Sequence, residues 1–267
     1  MLQAVSPRLA ARLAFTVFLT PVRRRLDTSD APWLEGARQH KVMAGNDAAL
    51  VYEWGTGKRT VVIVHGWGSH APRFAPLAQA LVTRDWRVLA IDAPGHGSTP
   101  GKRSSLPQFI AALDATIRQL GPAQALIGHS LGALAAAHWL AQTAEPGRAE
   151  ISHAVFISSP AGARFLIDNF VTMLGLNDTT AGHMLRGFTK RFGQQPEFWS
   201  APDCAARIHI PVLLVHDRDD DVIPFEHSSK LLAVLPQARM WATQGLGHSG
   251  LLRDATTIEL ICRELEQ

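Results

Sequence analysis

From about residue 40 onward, the apolar positions of the chain switch repeatedly between short continuous runs and helical spacing. Residues 60–64 form an unbroken apolar and β-branched run of the kind buried on both faces of a sheet, and residues 73–84 follow with helical spacing. The same alternation predicts strands at 86–91, 124–127, 153–157, 212–215 and 239–242, and helices at 107–120, 131–142 and 251–265. Upstream, 42–43 and 50–54 predict an opening pair of strands, joined through Gly45-Asn46-Asp47, whose residues suit a tight turn. Strand and helix in alternation predict an α/β fold, a mostly parallel central sheet of about eight strands flanked by helices.

One interval breaks this rhythm. Between residues 157 and 212 lie about fifty residues without a strand signal, too long for an ordinary connection. Phe165, Leu166, Phe170, Val171 and Leu174, then Leu185, Phe188 and Phe192, keep helical spacing. Residues 161–206 therefore read as a small helical cap inserted after the sixth strand, between core segments 37–160 and 207–267.

Residues 1–36 read as a helical arm. Ser6 as N-cap and Pro7 in the first turn open a helix that Pro21 closes. Its apolar run falls short of the roughly 20 residues that a membrane span needs. The arginines follow the apolar run and no small-residue cleavage site appears, the wrong order for a secretory signal. The plain expectation is a helix packed on the body of the protein or on a second copy. The alternative is a helix lying on an anionic membrane surface, held by Arg8, Arg12, Arg23, Arg24 and Arg25.

Composition narrows the classes further. With 267 residues, 46% of them hydrophobic, the chain can bury one large core. The formal net charge is only +3, and an arginine cluster near the N-terminus holds much of the excess, so no nucleic-acid partner is expected. Cys204 and Cys262 are far apart and in no ligand spacing, which argues against a disulfide framework or a zinc site. A reducing, cytoplasmic setting is the default, with the arm offering a route to the inner face of a membrane.

The chemistry is concentrated in three places. Gly128-His129-Ser130-Leu131-Gly132 sets a G-x-S-x-G between a buried strand and a helix of small residues. A serine on so sharp a turn stands clear of the sheet, and the strained backbone tolerates only small neighbours two residues to either side. By itself the pattern recurs by accident in about one chain in ten. A serine hydroxyl also needs a base, and the base needs a partner that fixes its tautomer. His248 has the setting for a base, in the loop Gly245-Leu246-Gly247-His248-Ser249 between the last strand and last helix. The acid comes from Asp217, Asp219, Asp220 and Asp221, just past a strand end, giving the chain order Ser, Asp, His.

From about residue 40 to its end the chain resembles the α/β-hydrolase superfamily, in its Ser-Asp-His esterase-like branch with a small helical cap. Four motifs carry the likeness in order: His65-Gly66-Trp67-Gly68 after the third strand, Asp92-Ala93-Pro94-Gly95-His96-Gly97-Ser98 after the fourth, the turn at Ser130, and the Asp and His loops. The resemblance implies an α/β-hydrolase fold. It selects Asp220 as the acid, two residues before the Val of "D-x-V-x-P", with Asp219 the competitor. It makes the backbone N–H groups of Trp67 and Leu131 the oxyanion hole. His65 and Asp92 would shape loops, and His129 and Ser249 would be local structural groups.

A serine nucleophile implies an acyl-enzyme rather than the alkyl ester formed by an aspartate. The expected reaction is hydrolysis of small-molecule carboxylic esters of short to medium acyl chain, with Ser130, Asp220 and His248 as the catalytic triad. Trp67, Phe165, Phe170, Leu185 and Phe188 would line the substrate pocket, although about half of the aromatic cap positions should simply tie the cap to the body. No cofactor and no metal is expected. Other triad chemistry on the same scaffold, such as carbon–carbon bond, thioester or lactone hydrolysis or acyl transfer, and a ligand-binding receptor that keeps the triad, are the alternatives.

Overall fold

A computed structural model describes residues 2–23, 31–143 and 150–267. It contains an eight-stranded sheet with strands β1 Arg38–Ala44, β2 Asp47–Trp54, β3 Arg59–Val64, β4 Trp86–Asp92, β5 Ala125–His129, β6 His153–Ile157, β7 Val212–Asp217 and β8 Ala238–Thr243. The spatial order is β1-β2-β4-β3-β5-β6-β7-β8. β1 and β2 form an antiparallel hairpin, β2 pairs antiparallel with β4, and the remaining neighbours are parallel.

The continuous apolar runs have a direct cause. Val62 and Val64 join one core with Leu89, Leu126 and Phe156, while Val61 and Ile63 join a second core with Val88, Ile127 and Val155. Successive strand residues thus feed opposite faces, and each face is covered by helices. Leu106–Leu120 and Leu131–Gln142 cover the first, and Ala75–Val82 and Ala255–Glu264 the second.

Three boundaries differ from the sequence reading. β1 begins at Arg38, four residues early, because the edge strand carries Arg38, Gln39, His40 and Lys41, polar residues that suit an unpaired edge and hide the strand signal. The region after β3 is a 3-10 turn, Ala71–Phe74, that leads into a shorter α-helix, Ala75–Val82. The last helix starts at Ala255 rather than near Leu251, because the Asp254 side chain accepts the Thr257 N–H at 2.8 Å and sets the N-cap there.

Between β6 and β7 stand two long helices, Ala163–Met173 and Asp178–Phe192, followed by the short turns Pro196–Trp199 and Ala201–Ala205. The base of this insertion is closed by the Ala201 N–H donating to Ala161 O at 2.8 Å. The arm helix spans Pro7–Phe18, with Ser6 as N-cap accepting the Leu9 N–H. Ala10, Ala11 and Ala14 are buried, and Phe15 and Phe18 meet Phe188, Phe192 and Phe170 edge-on, so the helix lies on the cap. Arg23 then donates to the carbonyls of Gly95, Thr99 and Gly101, tying the chain after the helix to the loop that follows β4. Arg24 and Arg25 lie outside the described residues.

Candidate active site

The strand order reverses at β3, whose successor β4 lies on one side and β5 on the other. Loops leaving the carboxyl ends of β3 and β5 therefore part company and open a crevice, the usual place for a site in such a sheet. Ser130 sits at this point, between β5 and the helix Leu131–Gln142.

Ser130 has φ 52° and ψ −122°, a left-handed conformation that a serine adopts only when its surroundings enforce it. Its N–H donates to Ile157 O at 2.8 Å, and its carbonyl accepts from Ala133 and Leu134 as the helix begins. The flanking glycines are required by backbone approach. A Cβ on Gly132 would lie 2.2 Å from Val64 O, and one on Gly128 would lie 2.5 Å from Ala133 Cα. A Cβ on Gly66 would lie 2.9 Å from Ser130 Cβ, which shows how closely the loop after β3 approaches the serine. That loop carries Trp67, and Leu131 opens the helix, at a position whose N–H has no acceptor within the helix.

His248 reaches the same place from the loop after β8. Its Nδ1 lies 2.8 Å from Asp220 Oδ2, and its ring centroid lies 4.7 Å from that of His129. A carboxylate only accepts, so Nδ1 carries the proton and Nε2 is left as an acceptor. Asp220 Oδ1 accepts the N–H groups of Val222 at 2.9 Å and Ile223 at 2.8 Å. Burial alone would push this carboxyl up, but its bonds with His216 and His248 and the Ile223 N–H outweigh it, holding the pKa far below the usual carboxylate range.

The other aspartates have different positions. Asp219 is exposed and accepts the Gly245 N–H at 3.1 Å. Asp217 is fully buried and accepts from Asp219 N, Thr243 Oγ1 and Leu246 N. Both thus clamp the loop that carries His248 onto the one that carries Asp220. Of the pair left open by the sequence, it is Asp220 that bonds to His248.

The conspicuous residues before the serine bind loops. His65 Nε2 accepts the Ala93 N–H at 3.1 Å while Nδ1 donates to Gly66 O at 2.7 Å, a neutral tautomer that links the ends of β3 and β4. Burial, reinforced by repulsion from His96, keeps its pKa well below that of a free imidazole. Asp92 accepts the Ala71 N–H at 2.7 Å and the Ser98 N–H at 2.8 Å.

Sequence reasoning assigned no role to His216, which the structure places under Asp220. Its Nε2 lies 2.8 Å from Ile223 O and 3.3 Å from Asp220 Oδ2, and its Nδ1 accepts from Ser228 Oγ at 2.6 Å. Nothing in the local sequence announces this, since all three contacts come from the turn and helix that follow β7.

The expected pocket residues fall in four environments. Trp67 is 37% exposed and lies edge-on to His96, beside the serine loop. Phe165 lies 4.2 Å, centroid to centroid, from His227, on the helix that follows the acid loop. Leu185 lines a surface depression of about 620 Å³ on the cap together with Arg164, Arg186 and Lys190. Phe170 and Phe188 meet the arm helix, at 5.2 Å from Phe18 and 6.4 Å from Phe15. Among the described residues, no group of His, Cys, Asp and Glu could hold a metal ion.

Known proteins share this architecture. The Hydrolase_4 family model, described as serine aminopeptidase S33, matches residues 55–176. A pimeloyl-[acyl-carrier protein] methyl ester esterase of Chromobacterium violaceum is 45% identical over 87 residues, and the match covers 31% of each chain. An enzyme of the same description from Neisseria meningitidis is 25% identical over 77% of this chain and 93% of that one. Matches to the first two curated relatives, the C. violaceum esterase and a mouse protein phosphatase methylesterase, thus span only about a third of each. An esterase of Pyrococcus furiosus superposes with a TM-score of 0.69 at 19% identity, covering 93% of this chain and 96% of its own. With the strand order, the reversal at β3 and the serine turn at its crevice, these likenesses show that the chain has the α/β-hydrolase fold.

Proposed function

We propose that the protein is a serine hydrolase that cleaves carboxylic esters of short to medium acyl chain through an acyl-enzyme. The observation that carries this reading is the His248–Asp220 hydrogen bond at 2.8 Å beside the strained turn of Ser130. The names of the relatives, methyl ester esterases among them, support ester cleavage as the reaction class.

In the proposed cycle, Ser130 Oγ attacks the ester carbonyl carbon while His248 Nε2 takes the hydroxyl proton. Asp220, ionised and held by two backbone N–H groups, stabilises the resulting imidazolium without taking its proton. The carbonyl oxygen gains the negative charge and would be met by the N–H groups of Trp67 and Leu131, each worth about 3 kcal/mol in the transition state. The carbon–oxygen bond to the alcohol then breaks, and His248 returns the proton to the departing oxygen. Water repeats the sequence against the acyl-enzyme and releases the acid and free Ser130. Trp67 and Phe165 would contribute to the apolar wall that sets acyl length, while Phe170 and Phe188 tie the cap to the arm helix.

Release of p-nitrophenol from acetate, butyrate and octanoate esters tests the reading. Steady turnover by the wild type, lost in Ser130→Ala, is the expected result. Labelling of the serine without turnover of any of the three would overturn it in favour of a receptor that keeps the triad.

A further inference from the structure

The arm helix is oriented against its own composition. A helix that served only to brace the cap would turn its largest aliphatic side chains inward. Instead Ala10, Ala11 and Ala14 are buried, while Leu9 is 46%, Leu13 51%, Val17 56% and Val5 86% exposed. Leu9, Leu13 and Val17 recur every fourth position and so form one stripe along the outer face, and Val5 stands exposed just before the N-cap Ser6. Gln3 extends the patch onto the cap: its side-chain amide donates to Gly175 O and accepts the Asn177 N–H, each at 2.9 Å, beside the exposed Met173 and Leu174. Contiguous exposed apolar surface of this kind marks an interaction site.

The charge around the stripe identifies the occupant. Arg8 and Arg12, each one residue before a leucine of the stripe, run along its edge, and no described carboxylate pairs with either. Residues 1–26 contain five arginines and no acidic residue. Arg186, on the adjoining cap helix, adds to this field, since both it and Arg8 repel a proton from His183. A second copy docked on this face about a two-fold axis would set arginine against arginine, with no acid in the arm to offset the repulsion. An anionic bilayer presents the opposite sign together with an apolar interior that takes the stripe.

We infer that the outer face of the helix Pro7–Phe18 docks the protein on an anionic lipid surface. The placement also has a consequence for the site. After the helix the chain passes Gly68, where a Cβ would lie 3.4 Å from Val22 O, so the docked end of the arm adjoins the loop that carries Trp67.

Co-sedimentation of the full-length protein with vesicles of phosphatidylcholine containing about one third phosphatidylglycerol tests the inference, beside vesicles of phosphatidylcholine alone. Binding to the anionic vesicles is expected, weakened at least tenfold at ~0.5 M salt. The double variants Leu9→Glu/Leu13→Glu and Arg8→Glu/Arg12→Glu should each lose that binding by about tenfold or more while turning over a soluble ester at the wild-type rate, which shows them folded. Wild-type protein that stays in the supernatant with both vesicles would overturn the inference, as would undiminished binding by both variants. Sedimentation velocity showing a dimer that Leu9→Glu/Leu13→Glu dissolves, without lipid binding, would assign the face to a second copy instead.

Discussion

His129 Nε2 donates to the backbone carbonyl of His248 at 2.9 Å, so the residue before Ser130 holds the loop that carries His248. The donor assignment follows from the environment. Burial and repulsion from His248 lower the His129 pKa to about 3, and a carbonyl can only accept, so the neutral ring has its proton on Nε2. His129→Ala should lower kcat about tenfold with KM within about twofold, because the base loses its tether while substrate contacts persist. His129→Gln, which keeps an N–H donor, should recover part of the loss. Equal kcat in wild type and His129→Ala would show that the tether does not position the base.

Asp220 and Asp219 separate by role. Asp220→Asn leaves the shape of the loop but offers His248 an amide in place of a carboxylate, and kcat should fall by about 10³ to 10⁴. Asp219→Asn removes a charge but keeps an oxygen that can accept the Gly245 N–H, and the loss should stay below about tenfold. Steady-state kinetics of both variants on one ester decide, and the reverse ranking would make Asp219 the acid.

The serine turn stores strain that its neighbours enforce. Ser130→Gly should abolish turnover yet raise stability by about 1 kcal/mol, since glycine adopts a positive φ freely. Gly132→Ala must move backbone at Val64 and should lower stability by about 3 kcal/mol or more. Urea unfolding of the two variants should therefore shift in opposite directions.

Acid should destabilise the fold before it touches Asp220. Burial lowers the pKa of His129 to about 3 and those of His96 and His138 to about 4. In the unfolded chain these rings bind protons near pH 6.5, so below that pH the unfolded state takes up protons that the folded state refuses. Stability is full above about pH 6.5 and falls with acidification by up to about 1.4 kcal/mol per pH unit for each ring. Urea midpoints at pH 7 and pH 5 measure the slope, and His138→Gln should flatten it. Asp220 has the same sign in a more acidic window: its folded pKa is also depressed, so its contribution is present above the ordinary carboxylate range and disappears only in stronger acid.

Much of the fold is legible because its signals are local. Residues 60–64 and 86–91 show their double burial as unbroken apolar runs, and Ser6-Pro7 marks the arm helix where the structure starts it. Gly128, Ser130 and Gly132 announce their turn because only glycine fits against the backbone there. Features set by distant contacts stay hidden. The helix Glu226–Leu232 has too short an apolar pattern to register, and His216 acquires its place only when that helix and the acid loop fold over it. Phe170 and Phe188 have the same spacing as a pocket wall, but their neighbours Phe15 and Phe18 come from an arm about 150 residues away. Helical period shows which residues share a face, not what covers it.

The nucleophile itself is the most direct point of test. Treatment of the folded wild type with a fluorophosphonate, followed by digestion and mass spectrometry, should find one adduct on Ser130, formed far more slowly in His248→Ala and absent in Ser130→Ala. A folded wild type left unmodified at Ser130 would contradict the account.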